Sequence, residues 1–331
     1  MKLESYPLLF EPVYKDYLWG GERIRELYGR TGTPEVCAES WEVSTRPEGM
    51  SVVNNGVYAG LSLAELVRRY QAELVGVAAP QAGEFPLLFK VIDARERLSV
   101  QVHPDNAGAA EHGGEAKNEM WVVLECNPGA TLFAGFKNGA TAESLCGALA
   151  GGSAATLLNE MAVQRGDALY IPGGLVHAIG SGNMIYEVQQ NSNTTYRLYD
   201  WERRDKNGQM RQLHIEEALR VINWGLGRPE FVRHVTNDPT CTTEGNRCYE
   251  VVNSPYFKLK RFSLSSSEAI GITGDSFRVL FVKEGRVAVT SGGCTVDLTA
   301  GMSCLIPAMA GSVLFEPDNS AELLVTALPY D

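Results

Sequence analysis

The sequence predicts a mainly β protein made of two β-barrels with short helical insertions. Three observations carry that expectation. The 331 residues include 34 glycines and 15 prolines, a density of turn formers that suits many short strands. Several runs alternate apolar and polar residues, the period-2 mark of a strand with two unlike faces. Two segments also recur. Trp121-Val122-Val123-Leu124-Glu125 returns loosely as Val279-Leu280-Phe281-Val282-Lys283-Glu284-Gly285, and Gly166–His177 returns as Gly301–Ser312. Counting five on from Pro172 and Pro307 gives His177 in the first copy and Ser312 in the second. One barrel is therefore expected to hold a metal and the other to be structural. The length suggests two domains, placed at 1–240 for the metal-binding half and 241–331 for the half without ligands.

Composition bounds the partners. A hydrophobic content of 44% with 21% charged residues is that of a soluble globular chain. A net charge of −11 argues against nucleic acid and against an anionic membrane. A phosphorylated small molecule would have to be held by a few local lysines or arginines. The seven cysteines are scattered without a C-x-x-C pair, so neither a disulfide framework nor a thiolate zinc site is indicated. The first residues contain no apolar run long enough for a signal peptide or membrane span, which points to a cytoplasmic protein. Oligomeric state is left open.

Taken in order, residues 1–60 read as strands and turns, including Trp19-Gly20-Gly21. The run Glu39-Ser40-Trp41-Glu42-Val43-Ser44 alternates, with Glu39, Trp41 and Val43 on one side. Ser62 is placed to cap a helix running to about residue 75, with Arg68 and Arg69 on its solvated face. Phe85–Ala94 reads as a strand interrupted by Lys90, a residue that either snorkels to the surface or meets a partner or substrate anion. Residues 106–118 read as a loop and Met120–Leu124 as a strand. Ala140–Leu149 and Ser153–Met161 read as a helical insertion, broken by Gly151-Gly152, that could cover a site. The segment from Met184 alternates again. Its parity puts Glu187, Gln189, Asn191, Asn193, Thr195 and Arg197 on one side, a polar row that suits a wet cavity. A helix is expected around His214–Trp224, with His214 near its start.

Leu98-Ser99-Val100-Gln101-Val102-His103 alternates cleanly. Gln101 and His103, two apart on a strand, share a face at a spacing of about 6–7 Å, so both can reach one ion. Glu119 and His177, each at the start of a further strand, would close a site for a Zn²⁺-type ion. Gln101 is the weakest ligand of the four, being an amide. The spacing G-x5-P-x-G-x2-H at Gly166, Pro172, Gly174 and His177 matches the second motif of the cupin (jelly-roll) barrels, whose turn delivers a histidine into the barrel.

With these residues stand longer matching runs: YKDYLWGG (14–21), ESWEVS (39–44), FPLLFKVIDA (85–94), LSVQVHPD (98–105), KNEMWVVLE (117–125), GDALYIPGGLVHAIG (166–180) and IYEVQQNSNTTYRLYDWER (185–203). In these the sequence resembles the class I mannose-6-phosphate isomerases in their short bacterial form. The resemblance implies two cupin-type barrels, a single Zn²⁺ per chain, and interconversion of mannose 6-phosphate and fructose 6-phosphate. It places the metal on His103, Glu119 and His177, with Gln101 in the position that longer relatives use. It places the catalytic arginine at Arg197 and puts Lys90 in the substrate pocket. Unlike the longer members, this chain has Tyr196-Arg197-Leu198-Tyr199-Asp200 around the arginine and no large helical domain.

Aldose–ketose isomerisation through a cis-enediol(ate) needs a Lewis acid, a base and charge stabilisation. Arg197, always protonated, suits oxyanion or phosphate stabilisation. Glu187 is the first candidate for the base and Lys90 the second. Ser99 and Lys117 are candidate phosphate or hydroxyl contacts. The competing readings are a cupin oxygenase, using His103, His177 and Glu119 as a facial set, and a non-catalytic sugar-phosphate binder. Cations at Lys90 and Arg197 favour the isomerase over a redox site.

Overall fold

The computed structural model describes residues 2–80, 84–205, 207–233 and 241–329. It is mainly β, as expected, with short helices between strands. Two compact units share the chain: Met1–Val13, Trp41–Leu88 and His234–Asp331 form one, and Tyr14–Ser40 with Phe89–Arg233 form the other. The expected boundary at 240/241 touches residues 234–240, which lie outside those described. No helix among the described residues is long and apolar enough to cross a membrane.

A six-stranded sheet runs in the order Val13–Lys15, Glu39–Val43, Leu87–Ala94, Asn183–Gln190, Glu119–Cys126, Ala168–Ile171. A five-stranded sheet runs Tyr196–Tyr199, Val100–Val102, His177–Ile179, Thr131–Phe136, Leu158–Ala162. The interior of the Phe89–Arg233 unit is filled by Trp19, Trp121, Leu132, Leu169, Ile171 and Ile185. The other unit is organised on a seven-stranded sheet, in which Lys258–Leu264, Ser312–Ala327 and Arg278–Ser291 lie side by side.

The recurrence seen in the sequence is present in the ladders. Glu119 and Trp121 pair with Ile171 and Leu169, and Arg278 and Leu280 pair with Ile306 and Cys304. The true offset puts Trp121 level with Leu280, one residue from the Val279 that the loose sequence match suggests. A slip of one would turn every side chain to the opposite face. Both Trp121 and Leu280 sit in their unit's apolar interior.

Other expectations need correction. Residues 106–118, read as a loop, begin with the helix Asn106–His112, capped by Asp105 through the Gly108 N–H. That helix buries none of its residues, so no apolar stripe announced it. The helix begun at Ser62, which makes a full capping box with Glu65, stops at Tyr70 because Gln71 takes a positive φ of 41°. A separate turn, Ala72–Val75, follows. Of the 140–161 insertion, Ala142–Ala150 is helical, but Leu158–Ala162 is a strand paired with Thr131–Phe136. The helix near His214 spans only Ile215–Val221, with His214 as its N-cap.

The Pro172-Gly173-Gly174 turn is held tightly against the segment that follows His103. A Cβ on Gly173 would stand 2.5 Å from the Asp105 Cα, and Gly174 has φ +84°, a region that costs L-residues energy. Gly174 N–H also donates to the His103 carbonyl, so this turn fixes two histidines relative to each other. Gly173→Ala should therefore destabilise the chain by about 1–3 kcal/mol, read as a lower midpoint in urea unfolding. An unchanged midpoint would show that the turn is not held as described.

Candidate active site

His103 follows the strand Val100–Val102, Glu119 opens Glu119–Cys126 and His177 opens His177–Ile179. Cross-strand register brings them together: Gln101 is opposite His177 on one side and opposite Arg197 on the other. His103, Glu119 and His177 each offer one ligand atom, all within 4.8 Å of one another. All three are buried, none more than 1% exposed.

The imidazoles are oriented for a cation. The Nδ1 of His103 lies 2.8 Å from the Thr194 carbonyl, and the Nδ1 of His177 lies 2.8 Å from the Leu175 carbonyl. A carbonyl only accepts, so each Nδ1 carries the proton and each Nε2 presents a lone pair. Those Nε2 atoms point at the Glu119 carboxylate, at 3.3 Å and 3.8 Å. Burial, reinforced by the Lys117 charge, pushes the His103 pKa down to about 3, and burial lowers that of His177. Both rings are thus neutral, the form that binds a metal. Glu119 is itself pulled well below its ordinary range: burial opposes this, but the Lys117 charge beside it outweighs burial. Its two oxygens accept no well-formed hydrogen bond, although the Lys117 ammonium stands 2.5 Å from Oε1. A buried carboxylate with spare lone pairs facing two neutral imidazoles fits a divalent ion. Gln101 stands beside the set, its Nε2 3.3 Å from His177 Nε2 and its Oε1 accepting from Ser99 Oγ.

A cavity of about 350 Å³ lies beside this cluster, reached through Gln101 and Lys117, which touch the histidines and Glu119. Ser99, Gln101 and Lys117 line it, and so do Lys90, Glu187 and Arg197. Every residue singled out for chemistry in the sequence is thus in the ligand cluster or on the cavity wall. The polar row predicted from Glu187 onward is interrupted. Glu187, Asn193, Thr195 and Arg197 reach the cavity, but the strand ends at Gln190. Gln189, still within the strand, turns its amide to the Gln190 and Ser192 carbonyls and is not on the cavity wall.

Opposite the ligand cluster lies a second charged group. Lys90, 5% exposed, places its ammonium 3.3 Å from Glu187 Oε1 and 3.6 Å from Glu39 Oε2. Glu187 Oε2 accepts from Trp121 Nε1 at 2.9 Å. Burial pushes the Glu187 pKa up and repulsion from Glu119 adds to it, with Lys90 pulling the other way. Lys90 is kept charged, since Glu39 and Glu187 more than offset its burial. Arg197 is half-buried, donates through Nη1 to the Gln212 carbonyl, and has its backbone clamped by His214.

Four wall residues escaped the sequence reading. Glu39 gave a signal, a carboxylate on the apolar side of an alternating strand. Trp121 looked like ordinary core. Tyr17 and Arg211 lie in segments without periodicity. Arg211 forks onto Asp200 at 2.5 and 2.7 Å, and Arg203 joins the same carboxylate.

Fold and cluster together define a mainly β protein with a His–Glu–His metal-binding group beside a pocket lined with cations. The catalytic-domain model of type I phosphomannose isomerase matches residues 8–121, which include Gln101, His103 and Glu119. The mannose-6-phosphate isomerase of Streptococcus mutans is 37% identical over 94% of this chain and 96% of its own length. The mannose-6-phosphate isomerase ManA of Bacillus subtilis is 34% identical over 98% and 100%. A crystal structure of the Bacillus subtilis mannose 6-phosphate isomerase superposes with a TM-score of 0.86 at 29% identity, covering 97% of this chain and 99% of that one. The chain belongs to the type I phosphomannose isomerases.

A divalent transition-metal ion added to chelated protein should raise the melting temperature. At a hundredfold excess over Kd, linkage gives about 2.7 kcal/mol of stabilisation. Glu119→Gln should lose most of that gain. An undiminished gain in the variant would place the ion elsewhere.

Proposed function

We infer that this chain interconverts mannose 6-phosphate and fructose 6-phosphate with one Zn²⁺ held by His103, Glu119 and His177 and assisted by Gln101. The observation that carries the reading is that neutral-imidazole and carboxylate set standing beside a cavity lined by Lys90, Glu187 and Arg197, in a chain of this family. A zinc ion there supplies Lewis acidity that polarises the sugar carbonyl. The chain's own residues supply the proton transfer and charge stabilisation.

Glu187 is assigned as the base. It takes the proton from C2 of the aldose, giving a cis-enediol(ate), and returns it to C1, while the hydroxyl proton passes from O2 to O1 by exchange with solvent. In the reverse direction it acts between the same two carbons. Burial supports this role by raising its pKa toward the useful range. Trp121 fixes one carboxylate oxygen, leaving the other toward Lys90 and the cavity. Lys90, the second candidate, is held protonated between two carboxylates, which disfavours it as a base and suits it to stabilising negative charge on substrate. Arg197 adds a permanent cation beside the metal ligands for the developing oxyanion. Ser99 and Lys117 are assigned to hydroxyl or phosphate contacts.

A coupled assay for fructose 6-phosphate should show activity in the zinc-loaded protein, loss on chelation and recovery with Zn²⁺. An inactive zinc-loaded protein would overturn the assignment. Glu187→Gln should lower kcat by about 10²–10⁴-fold; near-normal turnover would remove Glu187 as the base. The acid limb of kcat/KM should lie above the ordinary carboxylate pKa of about 4.3, because a raised pKa means the working anion is lost at higher pH. Of the two causes of the shift, burial survives metal binding, whereas repulsion from Glu119 does not. The Gln variant's residual activity should lack that limb.

A further inference from the structure

In the unit that contains the C-terminal sheet, a second cavity of about 290 Å³ is lined by Lys258, Lys260 and Arg278 together with Phe262, Ile270 and Val325. Its position follows from register. Phe262 and Val282 both pair with Leu323, and Lys260 and Leu280 both pair with Val325. Across three adjacent strands one row is therefore wholly apolar and buried, and the next turns cationic at Lys260. One step further along the same face, Lys258 pairs with Ala327, and Arg278 stands two residues before Leu280. The interior of this unit thus grades from hydrocarbon to positive charge at one end.

That end corresponds to the one that carries the ligand cluster in the other unit. Arg278 pairs with Ile306 as Glu119 pairs with Ile171, each just before the turn that begins at Pro307 or Pro172. Where one unit presents a carboxylate, the other presents a guanidinium. The inversion is local, in a chain of net charge −11. Among the described residues, carboxylates near these cations include Asp275, 3.7 Å from Arg278 Nη2; Glu250, across the ladder from Lys260; and Glu268, engaged by Thr242 and Asn246. None of the three lines the cavity. Arg278 is buried and is oriented by its own Nη1 bonds to the Ser276 and Phe277 carbonyls.

We propose that this cavity is a second ligand site, which takes a small organic anion with its phosphate or carboxylate head on Lys258, Lys260 and Arg278 and its apolar body on Phe262, Ile270 and Val325. Arginine and lysine supply the charge-assisted hydrogen bonds such a head needs. The cavity has room for a compact ring. The site is separate from the isomerase chemistry and does not depend on it.

The test is methyl NMR on the full chain with labelled isoleucines, titrated with phenyl phosphate and, in a second arm, benzoate. Ile270 reports this cavity, whereas Ile92 and Ile179 line the first one. The expected result is a saturable shift of Ile270 by at least one probe. It should be weakened about 5–10-fold in Lys260→Gln, with the rest of the isoleucine spectrum preserved and isomerase activity within about twofold of the parent. Lys258→Gln should behave alike, so that misfolding of one variant does not decide the matter. No movement of Ile270 with either probe up to ~10 mM, or equal affinity in both variants, would overturn the proposal.

Discussion

Glu119 imposes the constraint on which the first unit depends. A carboxylate with both oxygens sealed from water loses several kcal/mol of hydration and must be compensated by charge or hydrogen bonds. The protein meets that demand with a single cation. Lys117 supplies a cation two residues away along the chain, and His103 and His177 aim unprotonated nitrogens at it from the facing sheet. Those nitrogens are acceptors, as the carboxylate is, so the three cannot satisfy one another by hydrogen bonding. Lys117 serves the Glu119 and His103 side and the Gln101 amide reaches His177; a divalent cation between the three would engage all of them at once. The ligand arrangement is thus a polar mismatch held in place by the Pro172-Gly173-Gly174 turn and by the Thr194 and Leu175 carbonyls.

The same cavity shows how two glutamates acquire opposite character. Glu119 is lowered because its neighbours favour the anion more than burial penalises it. Glu187 is raised because burial and the negative Glu119 outweigh Lys90. Pairs of carboxylates driven apart in this way divide the work between holding charge and moving protons. Glu39 adds to the division, for it shares the Lys90 ammonium and keeps that lysine from neutralising Glu187 entirely. Trp121 does the positioning. Its indole N–H occupies one oxygen of Glu187 and so leaves the other facing the reacting space.

What the sequence made legible was what periodicity and spacing encode. Gln101 and His103 share a strand face because alternate residues must, and the Gly-Pro-Gly-His spacing delivered His177 to its place. The mainly β class followed from alternation and turn density, and Ser62 marked a helix start by its capping chemistry. Contributions set by tertiary contact were hidden. Arg211 comes from a charged turn with no pattern and reaches the cavity only because Asp200 holds it there. The polar row from Glu187 lost Gln189 and Asn191, Gln189 because its amide is spent on the backbone carbonyls of Gln190 and Ser192. The helix Asn106–His112 has a good cap but no buried face, and the strand Leu158–Ala162 has helix-compatible residues that edge pairing overrode. Glu39 alone left a readable trace, as an acid among apolar neighbours.

The two units carry the argument beyond one site. Each places a strand start against the residue before a proline turn, Glu119 with Ile171 and Arg278 with Ile306, and each buries an apolar residue two positions on. The pairing and packing demands are therefore alike, and they leave the identity of that first residue unconstrained by the ladder. A side chain at the open end of a strand interior escapes the apolar requirement that fixes Trp121 and Leu280, so it is the position where chemistry can change at least cost to the fold. With Glu119 the neighbours that make burial tolerable are a lysine and metal-ligating histidines. With Arg278 they are backbone carbonyls and Asp275, and Lys258 and Lys260 stand on the same face one strand further across the sheet. Charge of one sign at such a position determines which partners its surroundings must supply, and for this reason a single pattern of strands yields a cation site in one unit and a cationic pocket in the other.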